Sequence, residues 1–139
     1  MESTEVLLID AANVLKTIGL RGSFSKTLKW LVSRILQNPN FYDIVVEVVV
    51  DNAGDHQTPR RTVRKNGRFL EIVSCNGNEN GQYISADHYI RDFIGSNKHY
   101  EIVDVVTDDK ELIVSILNET YKGGFDIKFT NVKSFIKKI

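Results

Sequence analysis

The strongest constraint on this chain lies near its start, in Val6-Leu7-Leu8-Ile9-Asp10-Ala11-Ala12-Asn13. Four apolar residues in a row lack the alternation of a half-exposed strand, so the run reads as a strand buried on both faces. Such a strand belongs inside a mostly parallel sheet with helices on either side. The run stops at an acid, and in open parallel sheets ligands bind beyond the carboxyl ends of the strands. Asp10 therefore stands where a site would be.

The rest of the chain supplies the partners. Asn13 can cap or turn the backbone, and Gly19-Leu20-Arg21-Gly22-Ser23 breaks any helical turn that follows. From Ser25 onward Leu28, Leu31, Val32, Ile35 and Leu36 recur at helix spacing, with Lys26, Lys29 and Arg34 opposite, until Asn38-Pro39-Asn40. Trp30, just off that stripe, reads as core edge. Ile44 to Val50 is a second buried strand closed by Asp51, with turn chemistry in Asn52-Ala53-Gly54-Asp55. Arg60, Arg61, Arg64, Lys65 and Arg68 crowd a segment that alone would be a solvated loop or edge hairpin. Phe69 to Val73 is a third strand, and Asn76 to Gly81 is polar and Gly-rich.

Ser85 caps a helix with Ala86, Ile90, Phe93 and Ile94 inward, Asp87 in its first turn and Gly95 just past its end. Ile102 to Val106 is a fourth strand, running into Thr107-Asp108-Asp109-Lys110-Glu111. Leu112, Ile113, Ile116 and Leu117 mark a helix that stops at Gly123-Gly124. Phe125, Ile127 and Phe129 alternate as a fifth strand, and Asn131 caps a closing helix with Val132, Phe135, Ile136 and Ile139 inward. Strands alternating with helices predict a single α/β domain over residues 1–139, a three-layer α/β/α sandwich around a mostly parallel five-stranded sheet.

Composition narrows the class. At 42% hydrophobic and 26% charged residues the chain is globular rather than disordered. Lys and Arg (18) balance Asp and Glu (18), so the distribution of charge, not its sum, must decide on a nucleic-acid partner. The single cysteine, Cys75, excludes an internal disulfide framework and fits a reducing compartment. No basic-then-apolar leader opens the chain and no apolar run reaches the roughly 18 residues of a membrane span. The expectation is a cytoplasmic protein without a membrane partner.

Four acids then stand out: Asp10 and Asp51 close buried strands, Asp87 lies in a helical first turn, and Asp109 opens a helix after a strand. Singly, each suits a turn or a helix dipole, and Asp108 with Glu111 can form an N-cap pair. Together they converge on one end of a parallel sheet. Two carboxylates about 4 Å apart repel by roughly 4 kcal/mol at an effective dielectric near 20. No Lys or Arg adjoins the strand ends, although Lys110 is close in sequence, so a hard divalent cation is the expected counter-charge. Such an ion acidifies bound water and polarises a phosphoryl oxygen, which is equipment for phosphodiester hydrolysis.

In this order the motifs resemble a family. Leu7 to Asn13 resembles the opening strand of NYN domains, a branch of the PIN-like nucleases. Ser85-Ala86-Asp87-His88-Tyr89-Ile90 is similar to the helix start of the YacP-like members. Val106-Thr107-Asp108-Asp109-Lys110-Glu111-Leu112 is similar to the Thr/Ser-x-Asp-x-Asp/Glu signature after the fourth strand, and Val50-Asp51 to the end of the second. The resemblance implies a PIN-like fold and an endoribonuclease using Mg²⁺ or Mn²⁺ on single-stranded or ribosome-presented RNA. It implies Asp10, Asp87 and Asp109 as metal ligands, Asp51 as a fourth acid and Asn13 as an orienting group. Thr107, Asp108 and Glu111 would stand behind the ligands, with Asp108 or Asp109 as the ligand left open by the doubled acid. Ala11-Ala12 departs from the usual Gly-aromatic pair. The chain is short for the class, which leaves room for a homodimer that completes the groove.

An acidic site repels phosphate, so Arg60, Arg61, Arg64, Lys65 and Arg68 are expected to bind RNA beside it. Lys133, Lys137 and Lys138 read as a solvated helix face. His56, His88 and His99 lack metal-ligand spacing. Cys75 reads as strand-end packing, and Tyr83 and Tyr89 as packing rather than base stacking. The rivals are a PIN-like module that binds RNA or protein without cutting, and a phospho-receiver domain with Asp51 as acceptor. A dinucleotide-binding domain lacks its Gly-x-Gly-x-x-Gly turn, and a haloacid-dehalogenase-type phosphatase would need an Asp where Ala12 stands.

Overall fold

The computed structural model describes residues 4–19, 23–51, 60–75 and 85–139. The central strand is β1 (Glu5–Asp10), flanked in parallel by β2 (Val45–Asp51) and β5 (Ile102–Val106). Beyond β2 lies β4 (Arg68–Cys75), also parallel, and beyond β5 lies β6 (Asp126–Thr130). The five-strand expectation is corrected by one: Arg60–Lys65 forms β3, antiparallel on the outer edge of β4. The hairpin between them turns on Asn66 and Gly67, both at positive φ (53° and 78°). An Asn-Gly pair at that position is the two-residue turn that matches strand twist.

Alternate residues of β1 feed two cores, which is why its apolar run is unbroken. Leu7 and Ile9 pack under α1 (Ala11–Ile18), α2 (Phe24–Gln37) and α5 (Val132–Lys138). Val6 and Leu8 face α3 (Ala86–Ser96) and α4 (Lys110–Ser115), the latter continuing into a π-helical turn at Ile116–Thr120. The result is the expected three-layer sandwich. Gly95 lies inside α3 rather than beyond it. Helix α1 begins directly after Asp10, so Ala11 and Ala12 form a regular first turn, with Ala11 fully buried. Trp30 is 44% exposed beside Arg34, not at the core edge.

The sheet order is β3-β4-β2-β1-β5-β6. Counting only the parallel strands in chain order, this reads third, second, first, fourth, fifth. Receiver domains have second, first, third, fourth, fifth, so that reading is removed by topology. The connection leaving β1 crosses over the α1–α2 face, while the one leaving β5 crosses over the α4 face. The sheet's switch point therefore falls between β1 and β5, where a crevice opens at the carboxyl ends. The turns at 20–22, 52–55 and 76–81, with His56 and Tyr83, lie outside the described residues.

Candidate active site at the acidic rim

Asp10 ends β1 at the switch point and is 3% exposed. Its Oδ2 accepts hydrogen bonds from Asn13 Nδ2 at 2.8 Å and from Thr107 Oγ1 at 3.0 Å. Thr107, immediately past β5 and buried, also accepts from the Asp109 amide at 3.1 Å. Asn13 Oδ1 accepts from the Asp108 amide at 3.3 Å, so one side chain ties the ends of β1 and β5 together. Asn13 and Thr107 thus hold the carboxylate in one orientation.

The other acids arrive from neighbouring ends. Asp51 Oδ1 accepts from the Ala86 amide at 2.8 Å, which fastens β2 to the start of α3 and brings Asp87 in. Asp109 caps α4, its Oδ1 accepting from the Leu112 amide at 3.1 Å. Burial pushes the Asp10 carboxyl up to about 6, against the pull of Thr107 and Asn13 and with help from the charges on Asp87 and Asp51. Asp87 is also raised, by burial first and then by Asp109 and Asp51, with Glu111 adding to it. Arg91, one helical turn on, opposes that shift and is a nearby cation that sequence position did not reveal. Asp10, Asp51, Asp87, Asp109 and Glu111 thus form one electrostatic group.

The two adjacent acids point in different directions. Asp109 faces Asp87, whereas Asp108 turns away, its Oδ1 accepting from the Val132 amide at 3.0 Å to cap α5. The expected Asp108–Glu111 cap pair gives way to Asp109 on α4 and Asp108 on α5. Replacing Asp108 by Ala is expected to cost about 1 kcal/mol in urea denaturation through the lost cap. It should leave any cleavage activity unchanged.

An all-oxygen, negatively charged set fits a hard divalent cation held by one or two carboxylates and water. Among the described residues no three His, Cys, Asp or Glu side chains stand close enough to share one ion. The three-carboxylate cage expected of Asp10, Asp87 and Asp109 is therefore not assembled in this conformation.

The basic run does not flank the acids as a block. Asp51 pairs with Cys75, and Arg68 lies seven residues before Cys75, about 23 Å away at about 3.3 Å per residue. Lys65 pairs with Arg68, so Arg64, Lys65 and Arg68 sit at the opposite end of the sheet. Arg60, nearer the rim, is committed elsewhere. It pairs with Glu47 at 3.4 Å and Glu71 at 3.9 Å and donates to the Tyr89 hydroxyl, which in turn donates to Glu47. Glu47 is 6% exposed, a residue overlooked in the sequence although one acid inside a buried apolar run must find a partner. Tyr89 and Cys75 are core, as expected, and burial with the nearby Asp51 charge pushes the Cys75 thiol up to about 11, which leaves it inert.

No family model matches the chain, and no curated protein matches it. A crystal structure of Rae1 (YacP) from Bacillus subtilis is similar, with a TM-score of 0.64 and 17% sequence identity, covering 96% of this chain and 73% of that one. At that identity the likeness establishes the fold, which is PIN-like α/β/α. No helix among the described residues is long and apolar enough to cross a membrane.

Proposed function

We propose that this protein is a metal-dependent endoribonuclease that hydrolyses RNA phosphodiester bonds at the acidic rim. The observation that carries the reading is the convergence of five carboxylates on the switch point, with the Asp10 carboxyl pushed up to about 6. Burial of a carboxylate at that crevice, with the neighbouring acids adding to it, is unfavourable for folding and favourable for binding a cation. A bound Mg²⁺ or Mn²⁺ would polarise the scissile phosphoryl group and acidify water. Asp10, ionised above about pH 6 and fixed by Asn13 and Thr107, would be a ligand, with Asp87 or Asp109 beside it. Asp87 is only partly buried and its proton affinity is raised, which suits it to take the proton of an attacking water. Resemblance of the acidic motifs to those of YacP-like NYN domains supports RNA as the substrate class.

One observation favours the non-cutting module: Asp51 and Asp109 each spend a carboxylate oxygen on a helix N-terminus. Fluorescent single-stranded RNA incubated with Mn²⁺ or Mg²⁺ separates the two. The nuclease reading expects internal cuts that EDTA abolishes, and roughly a hundredfold loss in a folded Asp109→Asn protein. Wild-type protein that binds RNA but cuts none with any divalent ion would leave the binding module.

A further inference from the structure

The far end of the sheet carries a surface that edge protection does not explain. Cations on an outer strand such as β3 discourage pairing with another chain. That accounts for Arg61 and Lys65, but Arg68 belongs to β4, whose outer side is already paired with Lys65 of β3 at that position. Arg64 lies over the Phe69 ring at 5.3 Å on the α3 side of the sheet and Arg68 over the Tyr42 ring on the α2 side, so the two pairs flank the end of the hairpin. Phe69 remains 51% exposed and Tyr42 39%. Among the described residues none of Arg64, Lys65 and Arg68 has a carboxylate within ion-pair distance, and the Nε of Arg68, buried against its neighbours, has no hydrogen-bond acceptor. A groove of about 980 Å³ runs from Tyr42 past Arg68 and Phe69 to Tyr100, with Glu5 and Asp43 also on its wall.

We infer that this basic, aromatic end of the β3–β4 hairpin is a single-stranded RNA anchor, distinct from the acidic rim and about 23 Å from it along the sheet edge. Unneutralised cations next to exposed rings are the two components of sequence-tolerant strand binding, phosphates on the cations and bases on the rings. The separation lies within the roughly 4–16 nucleotides that one such domain spans. Arg61, exposed on β3 between the two ends, lies on the path. The inference rests on the nuclease reading for what waits at the other end of the strand, but binding itself does not.

Anisotropy of a labelled 16-nucleotide oligouridylate, in EDTA so that no metal-dependent cutting occurs, tests the anchor. An Arg64→Ala/Lys65→Ala/Arg68→Ala protein with wild-type circular dichroism is expected to bind at least about tenfold more weakly. Its salt slope should shrink by about 2, since each lost phosphate contact removes about 0.7. Phe69→Ser is expected to weaken binding about fivefold or more without changing that slope. Wild-type affinity and slope in the triple variant overturn the inference. So does equal competition by polyglutamate of matched charge, which would make the surface a site for an acidic protein. Intact binding by a protein that never cuts would sink the nuclease reading and leave the anchor standing.

Discussion

An Asp10→Asn protein should be both nearly inactive and more stable than wild type above pH 6. Loss of one preorganised electrostatic group at a reacting centre lowers the rate about 10²- to 10³-fold, and Asp10 is the most buried acid of the site. The stability change follows from the proton affinity. Its folded value of about 6 lies above the ordinary 3.8, so the folded state holds the Asp10 proton more tightly than the unfolded one. The stabilisation that protonation gives is complete below about pH 4 and is lost as pH rises through about 6. A neutral amide avoids that loss. Both hydrogen bonds to Asp10 end on one oxygen, so Asn turned with its carbonyl there keeps Asn13 and Thr107 as donors. At pH 7.5 the variant should gain about 2 to 3 kcal/mol, since each tenfold difference in proton affinity is worth about 1.4 kcal/mol, and at pH 4 the gain should vanish. Urea denaturation at the two pH values checks it. An equal gain at both would mean that charge is not the cause. Added Mn²⁺ should raise the melting temperature of wild type more than that of the variant.

The second large effect lies outside the rim. Arg60→Ala should destabilise the fold by about 3 kcal/mol, because it leaves the Glu47 carboxylate buried between β4 and α3 with only the Tyr89 hydroxyl. Removing one partner of a buried pair costs about 3 to 5 kcal/mol, and the lower figure applies since the Arg60 side chain is 47% exposed. Adding Glu47→Gln should return most of the loss, because the uncompensated charge disappears. If the double variant is no more stable than Arg60→Ala, the buried charge is not what Arg60 neutralises. Hydrogen exchange should show β3 loosening first, as its edge position leaves it one pairing partner.

What the sequence disclosed and what it hid divide along physical lines. The apolar runs ending at Asp10, Asp51 and Thr107 revealed the buried strands, their ends and hence the acidic rim, because burial on both faces leaves a mark in one dimension. The direction of Asp108 was not legible: which of two adjacent acids turns inward depends on α5, 24 residues later. The basic run was legible as charge but not as place. Antiparallel pairing about Asn66-Gly67 carries Arg64, Lys65 and Arg68 away from the acids, and that turn pair was readable in the sequence. Glu47 had a signal too, an acid amid valines, yet its partners come from β3 and α3, which no spacing rule joins to β2.

The pairing of β1 has a consequence for synthesis. One side of it meets β2 about forty residues downstream, but the other waits for β5, where Glu5 pairs with Ile102. Until that stretch leaves the ribosome, an apolar strand with open backbone groups is exposed, which is a template for misassembly. Contacts so distant along the chain also slow folding. A chain ended after Ser96 should therefore show little amide protection in β1 and aggregate readily, so that the strand on which the whole molecule is built is among the last to be secured.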